Sequence, residues 1–310
     1  MNVIRCSLTT TVMLATFLFG EPVVAQQPAP PSTANSLVSQ QACRAQFRYL
    51  RQALHAIDLK GAPVMTDGVS THVAEAEWPF MAVAYYGYAC ADLAQCDPTL
   101  RGDAITEMRW ALDALQTPRL SGFMVPHFGA PFGNGSLTPS VFVHGHFLNL
   151  AVRYREVTGD AAYDALMLRI ATALDHAYTQ DAQGLLPSYM HPPMWWLTDN
   201  CPALSALARY DRLFQTHFAA GKEKFVASVK AYYLDPKTGM FCTYANPPTR
   251  QAGQGPRGIS MMYGLHFLKD FAPEDGDKLY YRQIPEVGQA MILFGRTELW
   301  KRANERTPNQ

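Results

Sequence analysis

The chain has 310 residues, with 26 basic and 26 acidic side chains and no long run of either sign. That balance argues against a nucleic-acid groove or an anionic membrane surface as the partner. Charged residues are scarce at 17% while aromatics reach 12%, which fits a deep core or an apolar cavity.

The first 25 residues read as a secretory signal. Arg5 supplies the positive start, Val12 to Phe19 an apolar run, and Val23-Val24-Ala25 a small-residue cleavage site. The run is shorter than the ~20 residues a bilayer span needs. Residues 26–35 are rich in proline and small polar residues and are expected to be a disordered leader. Residues 36–310 are long enough for one domain with a full core. These features place the mature protein in the periplasm or outside the cell, without a membrane span and with a homo-oligomer left open. Five cysteines follow the signal: Cys43, Cys90, Cys96, Cys201 and Cys242. A structural disulfide is expected among the first three, and an odd count leaves at least one thiol unpaired in an oxidising compartment.

Helical periodicity then runs through the chain. Cys43, Phe47, Leu50, Leu54 and Ile57 form one stripe, followed by Ile105, Met108, Leu112 and Leu115, then Tyr163, Leu166, Ile170 and Leu174. Thr138 with Pro139 reads as a cap and first-turn proline, and Gly159 with Asp160 closes one helix and opens the next. Helices beginning near Trp78, Val141, Asp199 and Gly258 are apolar around most of their circumference. Those between them, such as Asp160 to Tyr178 and Lys222 to Tyr233, have a charged face. A helix apolar all round is buried and one with a charged face lies outside, so the alternation predicts an all-α fold of helical hairpins, an α/α toroid. At about sixty residues per pair the chain supplies barely five pairs, an incomplete or short version of the six-pair ring. After Ile284 the sequence is short and charged.

A glycine mark precedes three of the apolar helices: Gly122-Phe-Met-Val-Pro-His127, Gly184-Leu-Leu-Pro-Ser-Tyr189 and Gly239-Met-Phe-Cys-Thr-Tyr244. The second and third also follow an aspartate, Asp181 and Asp235. Equivalent places in a repeat gather on one rim. The rim inventory is Glu75, Glu77, His127, Phe142, His144, His146, Tyr189, Trp195, Trp196, Asp199, Cys201, Cys242, Tyr244 and Tyr263, with Phe128, Phe132, Met194 and Met261 as apolar lining. A space with many rings, two thiols and few charges suits a small, mostly apolar ligand.

Each residue also has a plainer reading. His144 and His146, two apart on a helix, point about 200° away from each other, so they cannot share a metal. One faces the cavity and the other is packed and hydrogen-bonded. Asp199 reads first as a helix cap, and Glu77 as either a first-turn charge or a catalytic acid. Trp195 and Trp196 read as packing before substrate platform. Cys201, in the first turn of its helix, has three readings: a dipole-stabilised thiolate, a small buried hydrophobe, or half of a disulfide with Cys242. Tyr244 donates a hydrogen bond from its phenol or wedges its loop. No histidine pair or cysteine cluster has metal-ligand spacing, no phosphate loop appears, and no cofactor is expected.

The stretches "VHGHFLNLAVRYREVTGD" (143–160), "WWLTDNCPALSALARYDRL" (195–213), "YLDPKTGMFCTYANP" (233–247) and "GISMMYGLHFLKDFAPE" (258–274), with "EWPFMAVAYYGYACADL" (77–93), resemble the linalool dehydratase/isomerase family. The resemblance implies a periplasmic, cofactor-free toroid that adds or removes water at a small alkenyl alcohol by acid–base chemistry. It implies catalytic roles for His146, Cys201 and Tyr244. The family carries a second cysteine shortly before the one matched by Cys201, where this chain reads Tyr189-Met-His-Pro-Pro-Met194. His191 or Cys242 would then stand in. Two further functions are weighed: a carbohydrate-active toroid using Glu77 and Asp199 as its carboxylate pair, and a non-catalytic binder or decayed paralogue.

Overall fold

The computed structural model describes residues 33–62, 72–236, 239–246, 248–255 and 258–277. The signal segment, the first part of the leader, and the charged tail after Ile284 lie outside the described residues. Those residues are mostly helical, with a few short strands. Among them no helix is long and apolar enough to cross a membrane. The chain divides into two compact units, Met1–Phe123 and Met124–Gln310.

The first unit holds α1 (Thr33–His55), α2 (His72–Cys96) and α3 (Arg101–Leu115), followed by a helical turn at Pro118–Ser121. Helix α1 begins inside the stretch expected to be disordered, taking Thr33 to Asn35 with it. The predicted stripes are the buried ones: Phe47, Leu50 and Leu54 on α1, Met108, Leu112 and Leu115 on α3. Helix α2 starts at His72 and not near Trp78. Glu77 is therefore in its second turn, beyond the reach of first-turn dipole stabilisation. Buried Glu107 is the polar centre of the unit. Its carboxylate accepts from Tyr86 Oη at 3.1 Å, and meets His55 Nε2 at 2.7 Å and Arg51 Nε at 3.0 Å. Burying a carboxylate costs several kcal/mol unless such partners compensate it.

The second unit is built on α4 (Val143–Thr158), α5 (Asp164–Gln180), α6 (Leu197–Phe214), α7 (Gly221–Ser228) and α8 (Gly258–Phe271). The expected two kinds of helix are present. Every residue of α4 from Val143 to Tyr154 is buried, as is every residue of α6 from Leu197 to Ala208. Helix α5 buries one stripe: Met167, Ile170, Ala171, Leu174 and Tyr178. Met167, not the predicted Leu166, completes that stripe. Helix α6 packs against α4 and against α8. Gly145 makes the first contact close, because a Cβ there would stand 2.8 Å from Ala203 Cβ. The second contact is less tight at Gly264, where an added Cβ would fall at ordinary contact distance, 3.5 Å from Thr198 Cγ2 and 3.7 Å from Cys201 Sγ.

Four short strands form one antiparallel sheet in the order β1 (Tyr189–Met190), β2 (Pro193–Trp196), β3 (Tyr244–Ala245), β4 (Ala252–Gln254). The glycine marks explain two of the strand starts. Gly184 and Gly239 have φ of 62° and 65°, a region that glycine enters without a Cβ penalty. Asp181 accepts the backbone N–H of Gln183 and Leu185 at 2.9 and 3.1 Å, and Gly239 donates to Asp235 O. The first mark is a different structure: Gly122 opens a 3₁₀ turn, and His127 lies in the helical turn Val125–Phe128. Two boundaries also differ from expectation. Helix α4 starts at Val143, so Thr138 and Pro139 lie in the preceding loop and Ser140 Oγ receives Val143 N–H at 3.2 Å. Gly159 does close α4, with φ 72°, while Asp160 holds the turn before α5 by accepting from Ala162 N–H and Tyr154 Oη.

Gly145→Val should destabilise the protein by about 1–3 kcal/mol, the usual cost of overpacking, because its branches would have to displace α6 backbone. Equilibrium denaturation checks this, and an unchanged midpoint would mean that the two helices have room to separate.

Candidate functional site

Helices α4, α6 and α8 meet around His146. Its side chain is fully buried, and Tyr263 Oη of α8 stands 2.8 Å from Nε2, with Nδ1 at 3.4 Å. The shorter separation identifies Nε2 as the hydrogen-bonded atom. Burial alone pushes His146 down to about 3, so the ring is neutral at physiological pH. Phe142 meets the His146 ring edge-on at 5.3 Å, and Tyr263 in turn packs edge-on against Phe267 at 5.0 Å.

One of the two histidines, His144, is packed and hydrogen-bonded as expected. His144 Nδ1 accepts Ser140 N–H at 2.8 Å, so its proton is on Nε2, which donates to Pro131 O at 2.7 Å. Burial lowers this ring to about 4. His144 therefore ties the glycine-rich loop at 129–135 to α4, with Phe132 edge-on at 5.6 Å.

A chain of rings runs outward from His146. Phe142 stacks on buried Tyr189 at 6.4 Å, and Tyr189 meets half-buried His127 edge-on at 5.2 Å. His127 Nδ1 accepts the His191 N–H at 3.2 Å, and the two imidazoles stack at 6.2 Å. Burial, then the neighbouring His191, lowers the pKa of His127.

Of the three readings of Cys201, the small buried hydrophobe is the one its surroundings favour. Helix α6 begins at Leu197, so Cys201 is in its second turn, where the dipole has faded. The thiol is fully buried, and burial first, then the Asp199 carboxylate, raises its pKa well above the ordinary value. It stays protonated and points to Leu197 O at 3.6 Å. The Cys201–Cys242 disulfide is not formed, and Cys43, Cys90 and Cys96 are free thiols as well. Cys242 is pushed up to about 12 by burial and by Asp235.

Asp199 is the third residue of α6 and does not cap it; Trp196 occupies the N-cap position. Its buried carboxylate complements the positive end of the helix dipole from inside the first turn. Glu77 belongs to the first unit and Asp199 to the second. The two tryptophans separate to opposite faces of β2, as neighbours on a strand must. Trp195 is buried under Arg250, whose guanidinium carbon is 5.2 Å from the ring centre, and Arg250 also pairs with Asp181. Trp196 meets Tyr244 edge-on at 5.5 Å across β2 and β3. Burial raises the Tyr244 phenol. Buried Trp195 Nε1 and Thr243 Oγ1 have no hydrogen-bond partner among the described residues. The side chains of Glu75 and Met261 lie outside those residues. No group of three or more His, Cys, Asp and Glu side chains among them could hold a metal ion.

Sequence reasoning missed the buried amides. Asn200 satisfies its whole side chain, donating to Leu186 O and Trp196 O and accepting from Leu186 N–H and Tyr178 Oη, all at 3.0–3.1 Å. It fastens the second glycine-marked loop to α5 and α6. Asn149 and Ser205 are a second such pair. The readable signal was their setting: a polar side chain inside an all-apolar helix must find a buried partner. The chain matches no protein-family model.

His144 and His146, with ordinary values of 6.5, are held near 4 and 3. Between those limits the unfolded chain binds protons that the folded chain refuses, so stability is complete above pH 6.5 and falls as pH drops. Urea midpoints at pH 7, 5.5 and 4.5 should decline with proton uptake approaching two from these rings. The decline should shrink in His144→Gln, and identical profiles for both proteins would show that this imidazole is not buried neutral.

Proposed function

We propose that the protein is a cofactor-independent hydro-lyase or isomerase acting on a small apolar alkenyl alcohol, with Tyr263 and His146 as its acid–base pair. The observation that carries this reading is the 2.8 Å contact between Tyr263 Oη and the buried, neutral His146 Nε2. An imidazole with a pKa near 3 is a feeble base toward ordinary carbon acids. It suffices for a C–H beside a developing carbocation, which is acidic enough to surrender its proton. The chemistry this selects is elimination. Tyr263 gives its proton to the leaving hydroxyl, the C–O bond breaks, and water departs. His146 then takes the neighbouring carbon's proton, whose bonding pair becomes the double bond. The imidazolium returns its proton to the phenolate along their hydrogen bond, and hydration is the same sequence reversed.

Other features support the same ligand class. Phe142 and Phe267 lie edge-on to the two rings of the pair, Tyr189 stacks on Phe142, and Cys201 is a neutral thiol beside Gly264. Cys201 here lines the site instead of attacking, and Tyr244 braces Trp196. The α/α toroid is the architecture this reading assumes, supported by the all-buried α4 and α6 beside the one-faced α5. The resemblance of residues 143–160, 195–213, 233–247 and 258–274 to the linalool dehydratase/isomerase family supports the same function. The signal-like first 25 residues support a periplasmic or secreted location.

Purified, reduced protein should be incubated with short terpenoid and alkenyl alcohols without added cofactor, and products read by gas chromatography. A diene or rearranged alcohol is expected. Tyr263→Phe and His146→Ala should each lower kcat by roughly 10²–10⁴-fold, and Cys201→Ala should lower it less than either. No product from folded wild-type protein across the panel, or full turnover by Tyr263→Phe, would reject the assignment. Binding without turnover would leave a small-molecule binder, and thermal shifts with oligosaccharides alone would leave the carbohydrate reading.

A further inference from the structure

The His146–Tyr263 contact joins two helices, α4 and α8, that both pack on α6. What sets their mutual register is a second polar contact deeper along the same helices. Ser205 of α6 is fully buried. Its Oγ accepts from Asn149 Nδ2 of α4 at 2.9 Å and donates to Asp270 Oδ2 of α8 at 2.5 Å. One hydroxyl thus bridges the two helices that carry the acid–base pair.

The spacing makes this bridge a companion to that pair. Asn149 follows His146 by three residues, Ser205 follows Cys201 by four, and Asp270 follows Tyr263 by seven. Intervals of three, four and seven keep a side chain on the same helix face. The faces that converge on His146 therefore converge again one to two turns further on. The bridge is itself braced. Asn149 Nδ2 also donates to Pro202 O at 3.0 Å, and its Oδ1 accepts Arg153 Nε at 2.9 Å. Asp270 takes a two-pronged grip from Arg209, at 2.9 and 3.1 Å, and Arg209 continues to Glu156 of α4 at 3.0 Å. A short hydroxyl-to-carboxylate bond is among the stronger neutral-to-charged contacts, and a two-pronged Arg–carboxylate pair fixes geometry as well as distance.

We propose that Ser205 is a positioning residue that locks α4 and α8 to one register on α6, and so holds Tyr263 Oη against His146 Nε2. The catalytic meaning of this register rests on the function proposed above; the register itself does not. Alanine at 205 would leave the Asn149 amide and the Asp270 carboxylate without their shared partner, and α4 and α8 would then be held to α6 only by Pro202 O and the longer Arg209 side chain, a looser hold on their register. A displacement of about 1 Å at reacting groups is worth roughly 100-fold in rate.

The test reads the His146 ring directly. In ¹⁵N-histidine-labelled protein, Tyr263→Phe identifies the Nε2 resonance that depends on the phenol. Ser205→Ala should move that resonance in the same direction, while Ser205→Thr, which keeps the hydroxyl, should leave it in place. The His144 resonances, set by Ser140 and Pro131, should stay unchanged in all three. If Ser205→Ala does not fold, Asp270→Asn, which weakens the same bridge from α8, must give the shift. An unmoved His146 resonance in a folded Ser205→Ala or Asp270→Asn protein would overturn the proposal. Where turnover is observed, kcat should drop roughly 10- to 100-fold in Ser205→Ala and recover in Ser205→Thr, with KM little changed. Because the resonance needs no substrate, failure of the function assigned to the site and failure of the positioning role give different results.

Discussion

On α4 and α6, water does not reach the side chains of His144, His146, Asn149, Asn200 and Ser205. Each one left unpaired would cost about 1–3 kcal/mol, and that penalty decides where they go. His144 finds Ser140 and Pro131, His146 finds Tyr263, Asn149 finds Pro202 and Ser205, and Asn200 finds Leu186, Trp196 and Tyr178. These partners are spread over α5, α6, α8, β2 and the loops before α4 and β1. The hydrogen bonds thus do for orientation what apolar burial, being non-directional, cannot. A core of rings and aliphatic groups alone would hold these helices together with less control over their rotation.

The same desolvation chooses the protonation states. It lowers His144 and His146 and raises Cys201 and Cys242, in every case favouring the neutral form. A helix dipole at Cys201 would act in the opposite sense, but it is worth only about 0.3–1 kcal/mol at ordinary sites and fades within one turn. Desolvation of a fully buried thiolate is the larger effect, and the adjacent Asp199 adds to it. The consequence for chemistry is that these thiols and imidazoles are all neutral, with no ready nucleophile among them. Reactions that need a thiolate or a strong base are disfavoured there. Reactions in which a proton is handed out at one atom and collected at another remain open.

Much of the helical plan was legible in the sequence, for physical reasons. Periods of three and four residues picked out the buried faces of α1, α3 and most of α5. The absence of charge over 143–152 of α4 and 200–208 of α6 announced stretches buried on all sides. The opposed directions of His144 and His146 followed from two residues of helical rotation, and the structure gives one of them to packing. What was not legible was anything that depends on a helix boundary. Taking α2 to begin near Trp78 instead of at His72 put Glu77 in a first turn, and placing Cys201 in a first turn made it look like a thiolate. Glycine marks were legible where a positive φ demanded them, at Gly184 and Gly239. They misled at Gly122, which is helical. Tyr263 was visible as a rim residue, but its partner was not, since no spacing rule connects two residues more than a hundred positions apart.

The glycine between the two histidines links these threads. Without a side chain at 145, the α4 and α6 backbones approach until a Cβ would fall 2.8 Å from Ala203 Cβ. At that separation the short side chain of Asn149 reaches both Pro202 O and Ser205 Oγ, which a wider crossing would leave to water. Pro202 contributes by geometry: its ring cannot supply an N–H to the preceding turn, while its own carbonyl is taken by Asn149. His146, one residue past the glycine, points to another side of α4, where Phe142 and Tyr263 of α8 lie against its ring, and its burial keeps it neutral. Close packing of α4 on α6 and the buried hydrogen bonds of Asn149 therefore go together with one missing methyl group. The motif His-Gly-His reads less as two histidines flanking a spacer than as a contact point with a ring on either side.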